Sequence, residues 1–134
     1  MSGERDLTRL LAGMAPELDA ERWRFCRATA PVDGALATFR EAEGWTLLLR
    51  DGDELPTGAE IAPGRYARIT LTIHSSLEAV GLIAAVSATL ASAGISCNVI
   101  SAFHHDHLFV LEDRAEEALE RLRRLARAGG GDQR

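Results

Sequence analysis

The fold is decided by residues 66–111, which read YARITLTIHSSLEAVGLIAAVSATLASAGISCNVISAFHHDHLFVL. Apolar and polar residues alternate from Tyr66 to Ile73, and this period of two predicts a strand. The next segment, Ser75-Ser76-Leu77-Glu78, has a hydroxyl at N-cap spacing and a carboxylate after it, which predicts a capping box. A helix is therefore expected from Leu77 to about Ala93, ended by Gly94 in the left-handed conformation.

Two further strands and a helix complete this unit. The β-branched run Ile95–Phe103 and the apolar run Leu108–Leu111 predict a hairpin that turns through His104-His105-Asp106-His107. A helix is expected over 112–128, with acidic residues first and arginines last, which suits the helix dipole. The order β-α-β-β-α is typical of the α+β ferredoxin-like fold, in which both helices cover one face of an antiparallel sheet. Its final strand is missing, so either the N-terminal half or another chain must supply one.

The N-terminal half predicts a smaller α+β unit with the order α-β-β-β. Leu7, Leu10, Leu11 and Met14 have helical spacing, and Pro16 ends that helix. Residues 51–64 are predicted to form a loop or linker. The predicted strands are Trp23–Cys26, Ala35–Arg40 and Trp45–Leu49, the last two forming a hairpin.

Neither half has a complete set of strands, so the two are expected to share a core. The predicted domains are a degenerate N-terminal half over 1–64 and a second half over 65–128. A disordered tail is expected over 129–134.

Composition excludes several classes of protein. The 134 residues carry a net charge of -5, with 20 acidic residues against 15 arginines and no lysine, so neither a nucleic-acid nor an anionic-membrane partner is expected. The longest apolar stretch, Val80–Val86, is far short of the roughly 20 residues that cross a bilayer. No signal peptide is visible, which predicts a cytoplasmic protein. Cys26 and Cys97 are predicted to be buried free thiols.

Motifs for catalysis or cofactor binding are missing from the sequence. It contains no glycine-rich phosphate loop, no G-x-S-x-G elbow and no HExxH pair, so neither an enzyme nor a bound cofactor is predicted. His104, His105, Asp106 and His107 form a dense cluster of possible metal ligands, in which two imidazoles such as those of His105 and His107, with Asp106, could hold zinc or nickel on the hairpin. A polar turn is the simpler interpretation, because no cysteine and no histidine outside this cluster lies nearby in the sequence to complete the ligand set.

Several stretches resemble the ACT-domain family. Gly94–Ser101 is similar to the second strand of ACT domains, which follows a helix ended by Gly-Ile. The other stretches are Trp23–Cys26, Ala37–Gly44, His74–Gly81 and His104–Val110. Together they resemble a group of small, stand-alone bacterial proteins built from two ACT-like halves. The resemblance implies two packed βαββαβ halves, the N-terminal one degenerate.

By analogy with the ACT modules of aspartokinases, the resemblance also implies that an amino acid or a similar small effector is held between the first strand-helix loop and a neighbouring unit. It carries over to six residues of the loop and of the strand entrance: His74, Ser75, Ser76, Leu77, Ser96 and Asn98. The effector's carboxylate is expected at the free amides of Ser76 to Glu78. Its polar remainder is expected at Asn98 or at His105 and His107. The loop lacks the Asp-x-Pro-Gly turn of many effector-binding ACT loops.

Three functional alternatives remain open. The first is a regulatory domain that binds a small effector, and the second is a structural association module without a ligand. The third is metal binding through the His104–His107 hairpin. A homodimer is expected because Ile100, Phe109 and Leu111 could form an apolar open face of the sheet. The N-terminal half could equally cover that face from within the same chain.

Overall fold

A long strand at the centre of the sheet joins the two halves of the chain. This strand, β1 (Pro16–Ala28), pairs antiparallel with β3 (Gly44–Arg50) on one side and with β5 (Tyr66–Leu71) on the other. The structure is a computed structural model that describes residues 6–73 and 80–131. The other strands are β2 (Ala37–Glu41), β4 (Glu60–Ile61), β6 (Asn98–Ser101) and β7 (Asp106–Leu111). Over the described ranges they form one seven-stranded sheet in the order β2-β3-β1-β5-β7-β6, with β4 also paired to β1.

The C-terminal unit has the predicted ferredoxin-like order. Its elements follow in the order β5, α2 (Leu82–Ser92), β6, β7 and α3 (Ala115–Gly131), and β6 and β7 form the expected hairpin. The N-terminal half supplies the missing strand, because β1 lies antiparallel beside β5. The prediction of an α+β ferredoxin-like fold is confirmed.

The helices cover one face of the sheet and bury the main core. Alternation along β5 places Ala67, Ile69 and Leu71 on this face, where all three are fully buried. They pack in one cluster with side chains of α2, of α3 and of the short helix α1 (Leu7–Gly13). The buried helical members include Leu10, Leu82, Val86, Leu90, Leu119 and Leu122. Burying each such aliphatic side chain contributes about 1.5–3 kcal/mol.

The helix-free face of the sheet curls on itself around a second core. Trp23, Leu48 and Phe109 are buried there, and Phe109 is only 1% exposed. The half-buried side chains around them are Phe25, Ala37, Tyr66 and Ile100. These residues come from six strands, including the outermost strands β2 and β6. A flat sheet could not bring its two outer strands to one cluster, so the sheet must be strongly curved.

This curvature decides how the apolar face is covered. Residues of the N-terminal half bury Phe109. Phe109 is therefore not available for the apolar dimer contact that the sequence predicted. Leu111 remains 38% exposed. The sequence allowed this apolar face to be covered either by a second copy of the chain or by the N-terminal half. Around Phe109, the N-terminal half covers it.

Several predicted boundaries are wrong. Strand β1 spans Pro16–Ala28 rather than Trp23–Cys26, and β4 lies within the predicted loop over 51–64. Helix α2 begins at Leu82 and not at Leu77, and its N-cap is Gly81, whose φ of 104° lies in the left-handed region. The strand predicted over 95–103 is limited to β6, because only its central residues pair with β7. Helix α3 continues to Gly131, so the first three residues of the predicted disordered tail are helical.

Candidate functional site

Half of the predicted effector residues cannot be placed. His74, Ser75, Ser76 and Leu77 lie outside the described residues. The flanking structure is defined on both sides, since β5 ends at Leu71 and α2 follows its Gly81 N-cap.

The other predicted residues lie at two different places on the β6–β7 hairpin. Asn98 pairs with Phe109 at the end of β6 that is far from the turn, and Ser96 precedes the strand and is exposed. His105 and His107 lie beside the turn, where Ser101 pairs with Asp106. The structure therefore brings the two histidines together and leaves Ser96 at the opposite end of the hairpin.

His107 lies in β7 and His105 immediately precedes this strand, and the two side chains lie on the same face of the sheet. Their ring centroids are 6.5 Å apart, and Nδ1 of His107 is 3.1 Å from Oγ1 of Thr70 on β5. Burial lowers the pKa of His107, and the nearby positive charges of Arg68 and His105 lower it further against the opposing effect of Asp106. His107 is therefore a neutral hydrogen-bonding group at neutral pH.

The alternative of a metal site finds no support in the hairpin geometry. Asp106 pairs with Leu71 and Ser101, so its side chain lies on the helical face, opposite to that of His107. It is 8% exposed. Across residues 6–73 and 80–131, no three histidine, cysteine or carboxylate side chains converge as metal ligands would.

His107 also lines a cavity on the curled, helix-free face, which we call the sheet cleft. Its volume is about 110 Å³. Five apolar side chains and two nitrogen-bearing ones form its walls: Leu36, Ala37, Ile100, Ala102 and Phe109, with Arg68 and His107. The cleft exists because the outer strands β2 and β6 approach each other across this face. Curvature of the sheet thus creates the site.

The guanidinium of Arg68 is held in place beside the cleft by a carboxylate from the N-terminal half. Its Nη2 and Nε donate hydrogen bonds to Oδ2 of Asp19, at 3.0 and 3.2 Å. Asp19 lies where the register of β1 against β5 shifts, between Leu18 and Arg22. The Arg68 guanidinium also stacks over the Trp23 ring, 5.4 Å from its centroid, and the Trp23 indole N–H donates to Asp19.

Asp19 is an ionised partner for this arginine. Burial would raise the pKa of its carboxyl, but the hydrogen bond from the Glu21 amide and the hydrogen bonds and charge of Arg68 lower it further than burial raises it. The net pKa therefore lies below the ordinary value, and the pair stays charged at neutral pH.

A larger depression on the surface is a weaker candidate. It has a volume of about 470 Å³ and lies between two loops, with Val32 and Gly34 on one side and Leu55 and Pro56 on the other. Its one basic side chain, Arg50, already pairs with Asp53 in the same depression, 3.4 Å away. We therefore take the sheet cleft as the candidate site.

Sequence reasoning did not find Arg68 or Asp19 as site residues. Arg68 was predicted on the polar side of an alternating strand, which is where it lies. The missing information was that this side of the strand faces a largely apolar cleft. A charged residue opposite apolar Ile100 and Phe109 was the signal that could have indicated it.

Comparisons with known proteins agree with this architecture. Profiles of the ACT domain match residues 2–53 and residues 63–124. A crystal structure from Vibrio cholerae, described as a protein of unknown function and possible transport protein, is 42% identical. It covers 90% of this chain and 95% of its own, with a TM-score of 0.78.

More distant structures share the fold. An Agrobacterium tumefaciens protein is 17% identical and covers 84% of this chain and 89% of its own, with a TM-score of 0.66. The regulatory subunit of aspartate kinase from Thermus thermophilus, in its ligand-free form, is 11% identical and covers 85% of this chain and 97% of its own, with a TM-score of 0.64. A search of curated proteins finds no match. No helix over the described ranges is long and apolar enough to cross a membrane.

Proposed function

The chain belongs to the ACT-domain family, and we propose that it is a non-catalytic regulatory domain whose effector is a small carboxylate bound in the sheet cleft. ACT domains are typically regulatory, ligand-binding domains. An amino acid is the effector class that the resemblance to aspartokinase modules implies. The cleft adds the place where such a molecule would bind.

One observation carries this proposal: Arg68 and His107 project into a largely apolar cavity that the chain leaves unfilled. A largely apolar cleft that stays unfilled lacks packing contacts that larger apolar side chains would make. A carboxylate would find a guanidinium and an imidazole there beside apolar surface, which is the lining that small-molecule sites commonly have.

Two of the residues expected from the sequence lie in the proposed site or beside it. His107 lines the cleft and His105 lies next to it. Leu71, at the end of β5, pairs with Asp106 beside the hairpin turn, so the chain leaves β5 towards 74–77 from this same edge of the sheet. We therefore retain His74, Ser75, Ser76 and Leu77 as proposed contacts of the effector. Asn98 would lie at the margin of the site, and Ser96 outside it.

A second candidate function is association with another copy of the chain. Strands β2 and β6 are the two edges of the sheet path, and Phe39 on β2 is 70% exposed. An exposed edge with a large apolar side chain favours pairing with a second strand. On this alternative the protein is a homodimer without a ligand, and light scattering at micromolar concentration would report twice the monomer mass. We further propose a cytoplasmic location, where unpaired Cys26 and Cys97 would remain reduced.

A thermal-shift screen of the standard amino acids and of other small carboxylates tests the proposed function. A ligand at a hundred times its Kd stabilises the folded state by about 2.7 kcal/mol, which a melting curve detects. We expect at least one carboxylate to raise the Tm of the parent protein and not that of Arg68→Met. The matched control is Arg124→Met, on the exposed surface of α3, which should respond like the parent. Equal shifts in Arg68→Met, or no shift with any acid, would contradict the proposal.

A further inference from the structure

The chemistry of the cleft walls restricts which carboxylates can bind. Over the described residues, no acidic side chain lines the sheet cleft, and its walls carry only apolar groups, one guanidinium and one imidazole. An amino acid would bring a positively charged ammonium next to its carboxylate. Burying that ammonium is unfavourable unless an anionic or strongly polar acceptor receives it.

The nearest carboxylate to Arg68 is already committed. Asp19 accepts hydrogen bonds from Arg68, from the Trp23 indole and from the Glu21 amide. An ammonium placed beside the carboxylate of the ligand would therefore meet the charge of Arg68 without a counter-ion of its own. Two like charges at such a distance repel each other, and the repulsion is stronger in surroundings of low polarity.

Arg68 and His107 each have a nitrogen atom that is not engaged in the contacts described above and that a ligand carboxylate could contact. Arg68 contacts Asp19 through Nε and Nη2, so Nη1 lies outside that ion pair. The contact of His107 with Thr70 involves Nδ1, so Nε2, the other ring nitrogen, lies outside it. In the tautomer that carries its proton on Nε2, His107 accepts from the Thr70 hydroxyl at Nδ1 and can donate from Nε2. One carboxylate has two oxygens and can then accept from one donor of each residue.

The size of the cleft limits the rest of the molecule. Its volume of about 110 Å³ is smaller than the roughly 150 Å³ of an engineered apolar cavity that holds benzene. Ile100 and Phe109 from the C-terminal half face Ala37 from β2 across this space. An aliphatic group of about four carbons has room within this volume, and a larger group would extend out of the cleft beside Leu36, which is 37% exposed.

Building on the proposed function, we infer that the effector is a short aliphatic monocarboxylate without an ammonium group, such as a fatty acid or a keto acid, rather than an amino acid. Its carboxylate binds Arg68 Nη1 and His107, and its aliphatic group lies against Phe109 and Ile100. Amino acids of the same shape are excluded by their ammonium group and not by their size.

Calorimetric titration with three molecules of matched shape tests this inference: isovalerate, ketoisovalerate and valine. We expect the two acids to bind the parent protein, and valine to bind at least about tenfold more weakly, which corresponds to about 1.4 kcal/mol. Ala102→Leu, which fills the cleft, should abolish binding of both acids. Leu36→Trp, at the partly exposed mouth, is a second blocking variant that does not alter the core.

The outcomes separate the inference from the proposed function. Valine that binds as tightly as the acids, through Arg68, would overturn the inference and leave a carboxylate effector in place. Acids that bind equally well to both blocking variants would overturn the inference by placing the ligand elsewhere. Failure of all three molecules, together with an amino-acid panel that also gives no binding, would overturn both.

Discussion

Arg68 donates two hydrogen bonds to a single carboxylate oxygen of Asp19, at 3.0 and 3.2 Å. The two residues belong to different halves of the chain, Asp19 to β1 and Arg68 to β5. Their side chains are 20% and 24% exposed, so water screens this ion pair less than it screens a pair on the open surface. The contact both fastens the halves to each other and orients the guanidinium at the sheet cleft.

Removing the charge of Asp19 should therefore destabilise the fold. We expect Asp19→Asn to lower the free energy of unfolding by about 1–2 kcal/mol, because the hydrogen bonds to a charged partner are weakened. The matched control is Asp53→Asn, whose partner Arg50 is 52% exposed, and it should have almost no effect. Urea titrations of both variants supply the measurement, and equal losses would contradict a special role for Asp19.

The stability of the protein should decrease as the solution becomes acidic. The pKa of His107 in the folded state lies below its ordinary value of 6.5, so an unfolded chain takes up a proton more readily than the folded one. The stabilisation is complete above about pH 6.5 and is lost as the pH falls through the folded pKa. The lowered pKa of Asp19 adds a second loss below its ordinary value of 3.8.

Urea unfolding between about pH 7.5 and about pH 5 measures the first of these losses. His107→Gln cannot titrate, so it should have a flatter stability profile over that interval than the parent protein. The relevant quantity is the slope of the free energy of unfolding against pH. Loss of the Thr70 contact alone would lower the stability equally at every pH and leave this slope unchanged. An identical slope in parent and variant would show that other groups cause the loss.

The two halves should unfold in one step. Strand β1 pairs with β3 on one edge and with β5 on the other, so neither half retains a complete sheet when the other unfolds. We expect coincident transitions by far-ultraviolet circular dichroism and by the fluorescence of Trp23 and Trp45. Two separated transitions would show that the halves, proposed as 1–64 and 65–128, fold independently.

Two glycines should be intolerant of alanine for different reasons. Gly94 has a φ of 73°, and a Cβ there would meet no atom within 4 Å, so Gly94→Ala should cost about 1 kcal/mol through backbone conformation alone. Gly129 lies within α3, and its Cβ would be 2.6 Å from Cβ of Leu11 on α1. Gly129→Ala should therefore destabilise by separating these helices. Gly94→Asn should recover stability relative to Gly94→Ala, and a parallel rescue at Gly129 would contradict this distinction.

Local patterns in the sequence predicted much of this fold. Alternation identified β5, the Glu41–Gly44 segment identified the turn between β2 and β3, and charge order identified α3. Each of these signals depends on residues close together in the chain. The start of α2 was mispredicted because the Ser75–Glu78 motif matches a capping box, whereas the helix begins after Gly81 in a left-handed conformation.

The candidate site depended on contacts that no local pattern contains. The sheet cleft needs Leu36 and Ala37 to approach Ile100 and Ala102, which are more than sixty residues away in the sequence. Asp19 reaches Arg68 only because the register of β1 shifts between Leu18 and Arg22. His107 was predicted as a ligand contact from its place on the hairpin. Its hydrogen-bonding partner on β5, Thr70, was not predicted.

The central claim, that a small carboxylate binds in the sheet cleft, is tested most directly by an NMR titration of the uniformly nitrogen-labelled protein. The titrant is the acid that gives the largest thermal shift. The account predicts that the amide signals of Ala37, Ile100, Ala102, His107 and Phe109 move together and saturate, and that they stay fixed in Arg68→Met. Saturating changes confined to residues outside the cleft, or signals that never move with any acid, would contradict it.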